Sequence, residues 1–376
     1  MKIGIDARLL NQDERTGVER YWAELFSAIS NIDKENEYFL YYNYLKDKKL
    51  NYQFCTGWKY YPKPIFLPWF GSYNAMYNIW PKVLKSRIEK DKVDIFHGIE
   101  FYFPDTKRKS VVTIHDLFAF IYVDAYSAKK REMLKSSVNL SDVIIAISDA
   151  TKADIMKHLR VDEKKIKVVH LAASSKFTPI NDRELIKIFL KMKKLPEKFI
   201  LYTGTVAPRK NIKTIIDSLS ILKKKTNLIH KLLICGFKEI NYFSALKEHI
   251  NRLNLNNDVI FLNYVTDNDL VYLYNAAEIF VFPSFYEGFG LPVLEAMACG
   301  SPVVSSSVSS LPEVIGDAGI LVNPASPDEL ADSINKILIN KELRESLHQK
   351  SLARASLFSW DKTAKGTIEV YKELLN

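Results

Sequence analysis

Glu287 and Glu295 have seven residues between them, Gly288-Phe289-Gly290-Leu291-Pro292-Val293-Leu294. Two carboxylates at this spacing can address different parts of one ligand. A carboxylate accepts two hydrogen bonds at once from a vicinal diol, so Glu295 suits a ribose and Glu287 a second polyol. Ahead of them runs the apolar stretch Ile279-Phe280-Val281-Phe282, and after them an apolar helical pattern at Leu291, Leu294 and Met297. The order reads strand, tight loop, helix. Gly288 and Gly290 let the backbone turn sharply, Pro292 suits the start of the helix, and Gly300 sits where a left-handed C-cap is expected. The first helical amides, taken as those of Phe289 to Val293, then make an anion site at a strand's carboxyl end.

The run EGFGLPVLEAMACGSPVV resembles the signature of the retaining GT-B glycosyltransferases of family 4. That resemblance implies that Glu295 binds the nucleotide ribose and that Glu287 contacts the donor sugar. It also implies that amides of Phe289, Gly290 and Leu291 meet phosphate and sugar. It places Lys210, in Thr205-Val206-Ala207-Pro208-Arg209-Lys210, on the family's phosphate lysine. Many relatives carry an arginine directly after the glycine here, whereas this chain has Thr205, and Arg209 is the candidate substitute. The segment TIHDLFAF is similar to the family's catalytic-histidine segment and selects His115. The opening strand followed by Gly17 and VERY is similar to the family's first loop, which borders the donor phosphates, with Arg20 assisting.

These residues need elements to hold them. Strands are expected over Lys2–Asp6, Tyr38–Tyr44, Val93–Phe96, Val111–Ile114, Ser141–Ile147 and Lys167–His170, with His97 and His115 both at strand carboxyl ends. Asp116 either orients His115 or caps a turn, Ser148 or Thr151 caps a helix, and 122–126 offers tyrosines for acceptor stacking. Residues 171–198 read as a hinge. Further strands follow at Phe199–Thr203, Leu232–Cys235, Val259–Leu262, Ile279–Phe282, Pro302–Ser305 and Gly319–Val322. This alternation gives an α/β chain of the GT-B fold, two Rossmann-like domains facing each other across a cleft. The expected bounds are 1–175 for the acceptor domain, 176–358 for the nucleotide-sugar domain, and 359–376 for a helix crossing back.

Composition narrows the function further. The 376 residues are 47% hydrophobic and 26% charged, ordinary for a globular chain of two domains. Cys55, Cys235 and Cys299 lack metal-ligand spacing and read as free thiols of a cytoplasmic protein. MKIGIDARLL reads as a strand and not as a signal peptide. The net charge of +9 calls for anionic partners, yet no nucleic-acid motif is present. The uncharged run Ile65–Trp80, followed by Lys82, Lys85, Arg87 and Lys90, offers peripheral contact with anionic membrane through residues 65–90, beside the alternative of a core helix with a solvated basic face. Thr266-Asp267-Asn268-Asp269 has an Asp-x-Asp pattern but also reads as a helix N-terminus, so no metal and no cofactor are expected. The expected partners are a nucleotide diphosphate sugar as donor substrate and a glycan or lipid-linked acceptor. Two rivals share the fold or charge: a nucleotide-sugar epimerase, and a non-enzymatic nucleotide-binding module.

Overall fold

A computed structural model describes the chain except for residues 12–16, 45–53, 67–72, 124–126 and 264, with backbone alone at 11 and 73–78. It divides into two compact units, Met1–Leu171 with Ser359–Asn376, and Ala172–Phe358. Each is a parallel sheet wrapped by helices.

The first unit holds β1 (Lys2–Asp6), β2 (Glu37–Tyr44), β3 (Tyr60–Phe66), β4 (Ile95–Ile99), β5 (Lys109–Ile114), β6 (Val143–Ala146) and β7 (Ile166–Val168) in the order β3-β2-β1-β4-β5-β6-β7. The sequence gives little sign of β3, which contains Pro62 and Pro64. As an edge strand it has one side free of ladder bonds, which is where proline is tolerated. The strand expected at Val93–Phe96 is shifted to Ile95–Ile99. His97 therefore lies inside the sheet, in register with Ile5 and Val111, and not at a strand end. A fully buried imidazole needs partners, and it has them. His97 Nδ1 is 2.6 Å from the Tyr371 hydroxyl and Nε2 is 2.8 Å from Thr113 Oγ1. The run expected from Ile65 onward is split between β3 and the helix Tyr73–Asp91, with 67–72 outside the described residues. In that helix Leu84 and Ile88 are fully buried in the core, while Lys82, Arg87 and Lys90 are exposed.

The helix Trp360–Leu375 belongs to this unit. It packs against the helix Gly17–Ile32, and Thr363 Oγ1 donates to the His170 carbonyl at 2.7 Å.

The second unit holds β8 (Phe199–Thr203), β9 (Lys231–Cys235), β10 (Val259–Leu262), β11 (Ile279–Phe282), β12 (Val303–Ser306) and β13 (Gly319–Val322) in the order β10-β9-β8-β11-β12-β13. Every residue of β8 and β11 is buried, as the unbroken apolar runs require of a sheet covered on both faces. Strand order reverses between β8 and β11. The loops leaving those two strands lie at this switch point, where open α/β sheets hold ligands. Residues 171–198, read as a hinge, contain the helix Arg183–Met192. Asp182 caps it by accepting from the amides of Glu184 and Leu185, and Ile186 and Leu190 are buried. Pro179 and Pro196 on either side of it favoured the hinge reading.

Candidate functional site

Two loops of the second unit build the site. The loop after β8 passes Gly204 and Thr205 and ends in the turn Pro208–Lys210, from which Asn211 opens the helix Ile212–Lys225. The loop after β11, Pro283–Gly290, opens the helix Leu291–Ala298. The two are bonded to each other. The Phe285 amide donates to the Arg209 carbonyl at 2.9 Å, and Ser284 Oγ to the same oxygen at 3.1 Å. Asn211 Nδ2 donates to the carbonyls of Pro283 (2.9 Å) and Pro324 (2.6 Å).

This stitching brings Lys210, Arg209 and Glu287 together. Lys210 Nζ donates to Glu287 Oε1 at 2.5 Å, and Arg209 Nη1 lies 3.5 Å from Oε2 and 3.4 Å from the Tyr286 carbonyl. Lys210 is 7% exposed and Glu287 8%. The Lys210 ammonium also sits 5.2 Å from the centre of the Phe282 ring, whose face attracts a cation. Burial alone would raise the Glu287 carboxyl. The Lys210 and Arg209 charges, with hydrogen bonds from Lys210 and Ser284, outweigh it and hold the group below its usual range.

The helix N-terminus differs in detail from the expected cradle. Val293 N–H is 3.0 Å from the Gly290 carbonyl and therefore satisfied, and Pro292 has none. The amides of Gly290 and Leu291 find no acceptor among the described residues. Gly290 holds φ at 105°, which a side chain rarely adopts. Phe289 is buried against Phe358 at 5.9 Å, and Thr205 is exposed, its carbonyl accepting from the Tyr202 hydroxyl.

Glu295 is 3% exposed, and its Oε2 accepts from the Tyr274 hydroxyl at 3.1 Å. That hydroxyl is 2.7 Å from Thr203 Oγ1, at the end of β8. Tyr274, 21 positions upstream, carries no local signal for this role. Nor do Ser309 and Ser310, whose hydroxyls bind the carbonyl of Glu287.

In the first unit His115 follows β5 directly. It is 7% exposed, and among the described residues neither ring nitrogen has a hydrogen-bond partner. A buried ring nitrogen in this state can receive a hydrogen bond from a bound molecule. Its Nδ1 stands 3.4 Å from Glu100 Oε2, the oxygen that accepts from the His115 amide at 3.0 Å. Tyr21 crosses the ring edge-on at 4.9 Å. Asp116 caps a turn by accepting from the Phe118 amide, and among the described residues the carboxylate paired with the imidazole is that of Glu100. Ser148 caps the helix Asp149–Leu159, and Thr151 Oγ1 reaches the His115 carbonyl at 3.5 Å. Tyr122 stacks on Phe118, and the other residues expected there, 124–126, lie outside the described ones. Gly17 opens its helix exposed, and a Cβ there would meet none of the described residues within 4 Å. Arg20 lies in the same helix, while Arg15 and Thr16 fall outside the described residues.

Thr266 caps the helix Asp267–Ala276 by accepting from the Asp269 amide, and Asp269 pairs with Lys193 at 2.7 Å. The three cysteines are free thiols, and burial pushes Cys235 and Cys299 up to about 12.

Residues 184–354 match the family model for glycosyl transferases group 1, and residues 15–173 that for glycosyltransferase family 4. The chain is 36% identical over 285 residues to O-antigen chain mannosyltransferase B of Escherichia coli, covering 74% of each. Among solved structures it is similar to sucrose-phosphate synthase from Thermosynechococcus elongatus, with a TM-score of 0.78 at 19% identity, covering 100% of this chain and 99% of that one. It is also similar to Anabaena HepE in complex with UDP and glucose, with a TM-score of 0.74 at 19% identity over 99% of both chains.

Proposed function

The chain belongs to the family 4 glycosyltransferases, and from that premise we propose a retaining, metal-independent transfer of a hexose. The donor is a nucleotide diphosphate sugar and the acceptor a hydroxyl on a surface-polysaccharide or lipid-linked precursor. Mannose is favoured because the Escherichia coli relative is a mannosyltransferase of the O-antigen chain. HepE, captured with UDP and glucose, supports a nucleoside diphosphate as the leaving group.

One observation carries this reading: the buried Lys210–Glu287 pair lies on the two loops at the strand switch, where the Gly290 amide also stands without an acceptor among the described residues. Preorganised charge at a dry position is what a departing diphosphate needs. In the proposed reaction the bond from the anomeric carbon to the diphosphate oxygen breaks, and the acceptor oxygen bonds to the same face. The acceptor proton passes to the departing diphosphate, so no side-chain nucleophile is required. Lys210, assisted by Arg209 and by the Gly290 and Leu291 amides, stabilises the diphosphate. Glu287 holds the sugar, Glu295 takes the ribose hydroxyls, and His115 offers a ring nitrogen to a sugar hydroxyl. Metal independence is supported by the cations already supplied to the site, and by the engagement of Asp269 with Lys193.

The exposed Lys82, Arg87 and Lys90 support a peripheral place on an anionic, cytoplasm-facing membrane through residues 65–90. Among the described residues no helix is long and apolar enough to cross a bilayer.

The decisive measurement is nucleoside diphosphate release from GDP-mannose and UDP-glucose, with and without a polysaccharide precursor, in the presence of EDTA. An acceptor-dependent product with the donor's anomeric configuration is expected. Release of an altered free sugar instead would make the protein an epimerase, and no turnover with any activated sugar would end the enzymatic reading.

A further inference from the structure

The loop that carries Glu287 is fastened from one side by a run of serines. Ser305 Oγ donates to the Phe282 carbonyl at 2.8 Å and Ser306 Oγ to that of Ser284 at 2.5 Å, so the strand end and the first turn are pinned. Ser309 and Ser310 fasten the far end. Ser309 Oγ accepts from the Glu287 amide at 3.1 Å and donates to the carbonyl of the same residue. Ser310 Oγ, fully buried, reaches the carbonyls of Glu287 (3.0 Å) and Phe289 (2.9 Å).

Ser309 makes this more than loop packing. Its φ is +59°, in the left-handed region, which costs a residue with a Cβ about 1 kcal/mol and glycine little. Glycine is thus the cheaper residue for the backbone, and what serine adds is its hydroxyl. That hydroxyl uses its donor and its acceptor on one residue, Glu287. The contacts are also uncharged. An arginine or lysine anchoring the same carbonyls would compete with Lys210 for the diphosphate and for the Glu287 carboxylate, whereas a hydroxyl holds the backbone and leaves the local field unchanged.

We infer that Ser309 and Ser310 are positioning residues for glycosyl transfer. They fix the Glu287 peptide and the Phe289 carbonyl, and so aim the Glu287 carboxylate and the Gly290 and Leu291 amides at the donor. The inference rests on the donor site proposed above.

The full chain carrying Ser309→Gly tests it, because that change removes the hydroxyl while relieving the backbone. Its melting temperature should stay close to that of the wild type, because the relieved backbone strain offsets the hydrogen bonds lost to Glu287. Donor kcat/KM should fall by about tenfold, the worth of one well-placed hydrogen bond, with affinity for GDP or UDP falling alongside and acceptor KM unchanged. Ser310→Ala should act in the same direction. Were both variants to keep donor affinity and kcat within about twofold of wild type, the inference would be overturned. Lys210→Ala, assayed in parallel, separates the two failures. If it loses turnover while the serine variants do not, the positioning role alone falls. If it also retains turnover, the donor site falls and the positioning role with it.

Discussion

Lys210 Nζ and Glu287 Oε1 meet at 2.5 Å with each side chain only 9% exposed, joining two loops that are 77 positions apart in sequence. A buried ion pair of this kind is weak evidence for stability by itself, because both charges are desolvated. Its position on the loops of the strand switch gives it a different significance.

Replacing Lys210 by Ala leaves the Glu287 carboxylate in a dry site without its buried counter-charge, held by the longer Arg209 contact and the Ser284 hydroxyl. Stability should fall by about 3 kcal/mol, at the low end for a broken buried pair, with the fold retained. Turnover should fall far more than that loss of folded protein explains. Denaturant titration together with kcat on the same preparation checks both.

Glu287 also makes acid behaviour specific. Its folded carboxyl lies below the ordinary value of about 4.5, so the stability it contributes is complete above that value and is lost as pH falls through the lower, folded one. Glu287→Gln should therefore flatten the part of the stability curve below pH 4.5 and leave its slope between 5 and 7 unchanged, apart from a constant offset. An unaltered acid limb in urea melts would contradict the assignment.

His97 governs the neighbouring pH range. Burial, helped by the proximity of His115, lowers it from 6.5 to about 3, so the folded state keeps it neutral where the unfolded chain would protonate it. Stability is then full above pH 6.5 and declines toward pH 3, by up to about 1.4 kcal/mol per pH unit. His97→Gln should lower stability at pH 7, where the Thr113 and Tyr371 hydroxyls lose a matched partner, and should remove much of the decline between 6 and 4. Parallel slopes for the two proteins would count against it.

Gly290→Ala probes the cradle directly. The new Cβ would lie 2.7 Å from Leu311 Cδ2, the far end of a flexible side chain, so that clash can relax. The φ of 105° cannot, and should cost about 1–2 kcal/mol or rotate the peptide. Nucleoside diphosphate affinity should drop more than acceptor affinity, as calorimetric titration of each would reveal.

Much of this site is readable in the chain because it is local. Phe282, Glu287, Gly290 and Leu291 fall within one strand, loop and helix, whereas Lys210, 77 positions from Glu287, is selected by the family resemblance and not by its local pattern. Glu100, Tyr274 and Ser310 are different. Each acts on a residue 15 to 23 positions away, across a sheet or between loops, and polar residues in such places read as ordinary caps or surface. His97 misled because a histidine beside a glycine suggests a loop, while its true partners, Thr113 and Tyr371, lie 16 and 274 positions away. The helix Arg183–Met192 and the proline-bearing edge strand β3 were hidden for local reasons: Pro179 and Pro196 bracket the one and suggest a linker, and proline marks breaks more often than edges.

The helix Trp360–Leu375 sets a practical limit on dissecting this protein. A fragment ending at Leu171 would expose the flank of the Gly17–Ile32 helix and leave His97 without the Tyr371 hydroxyl, so it should come out of cells insoluble. Joining the last 18 residues back onto such a fragment, ahead of Met1 or behind Leu171, is the shortest route to a first half that folds by itself.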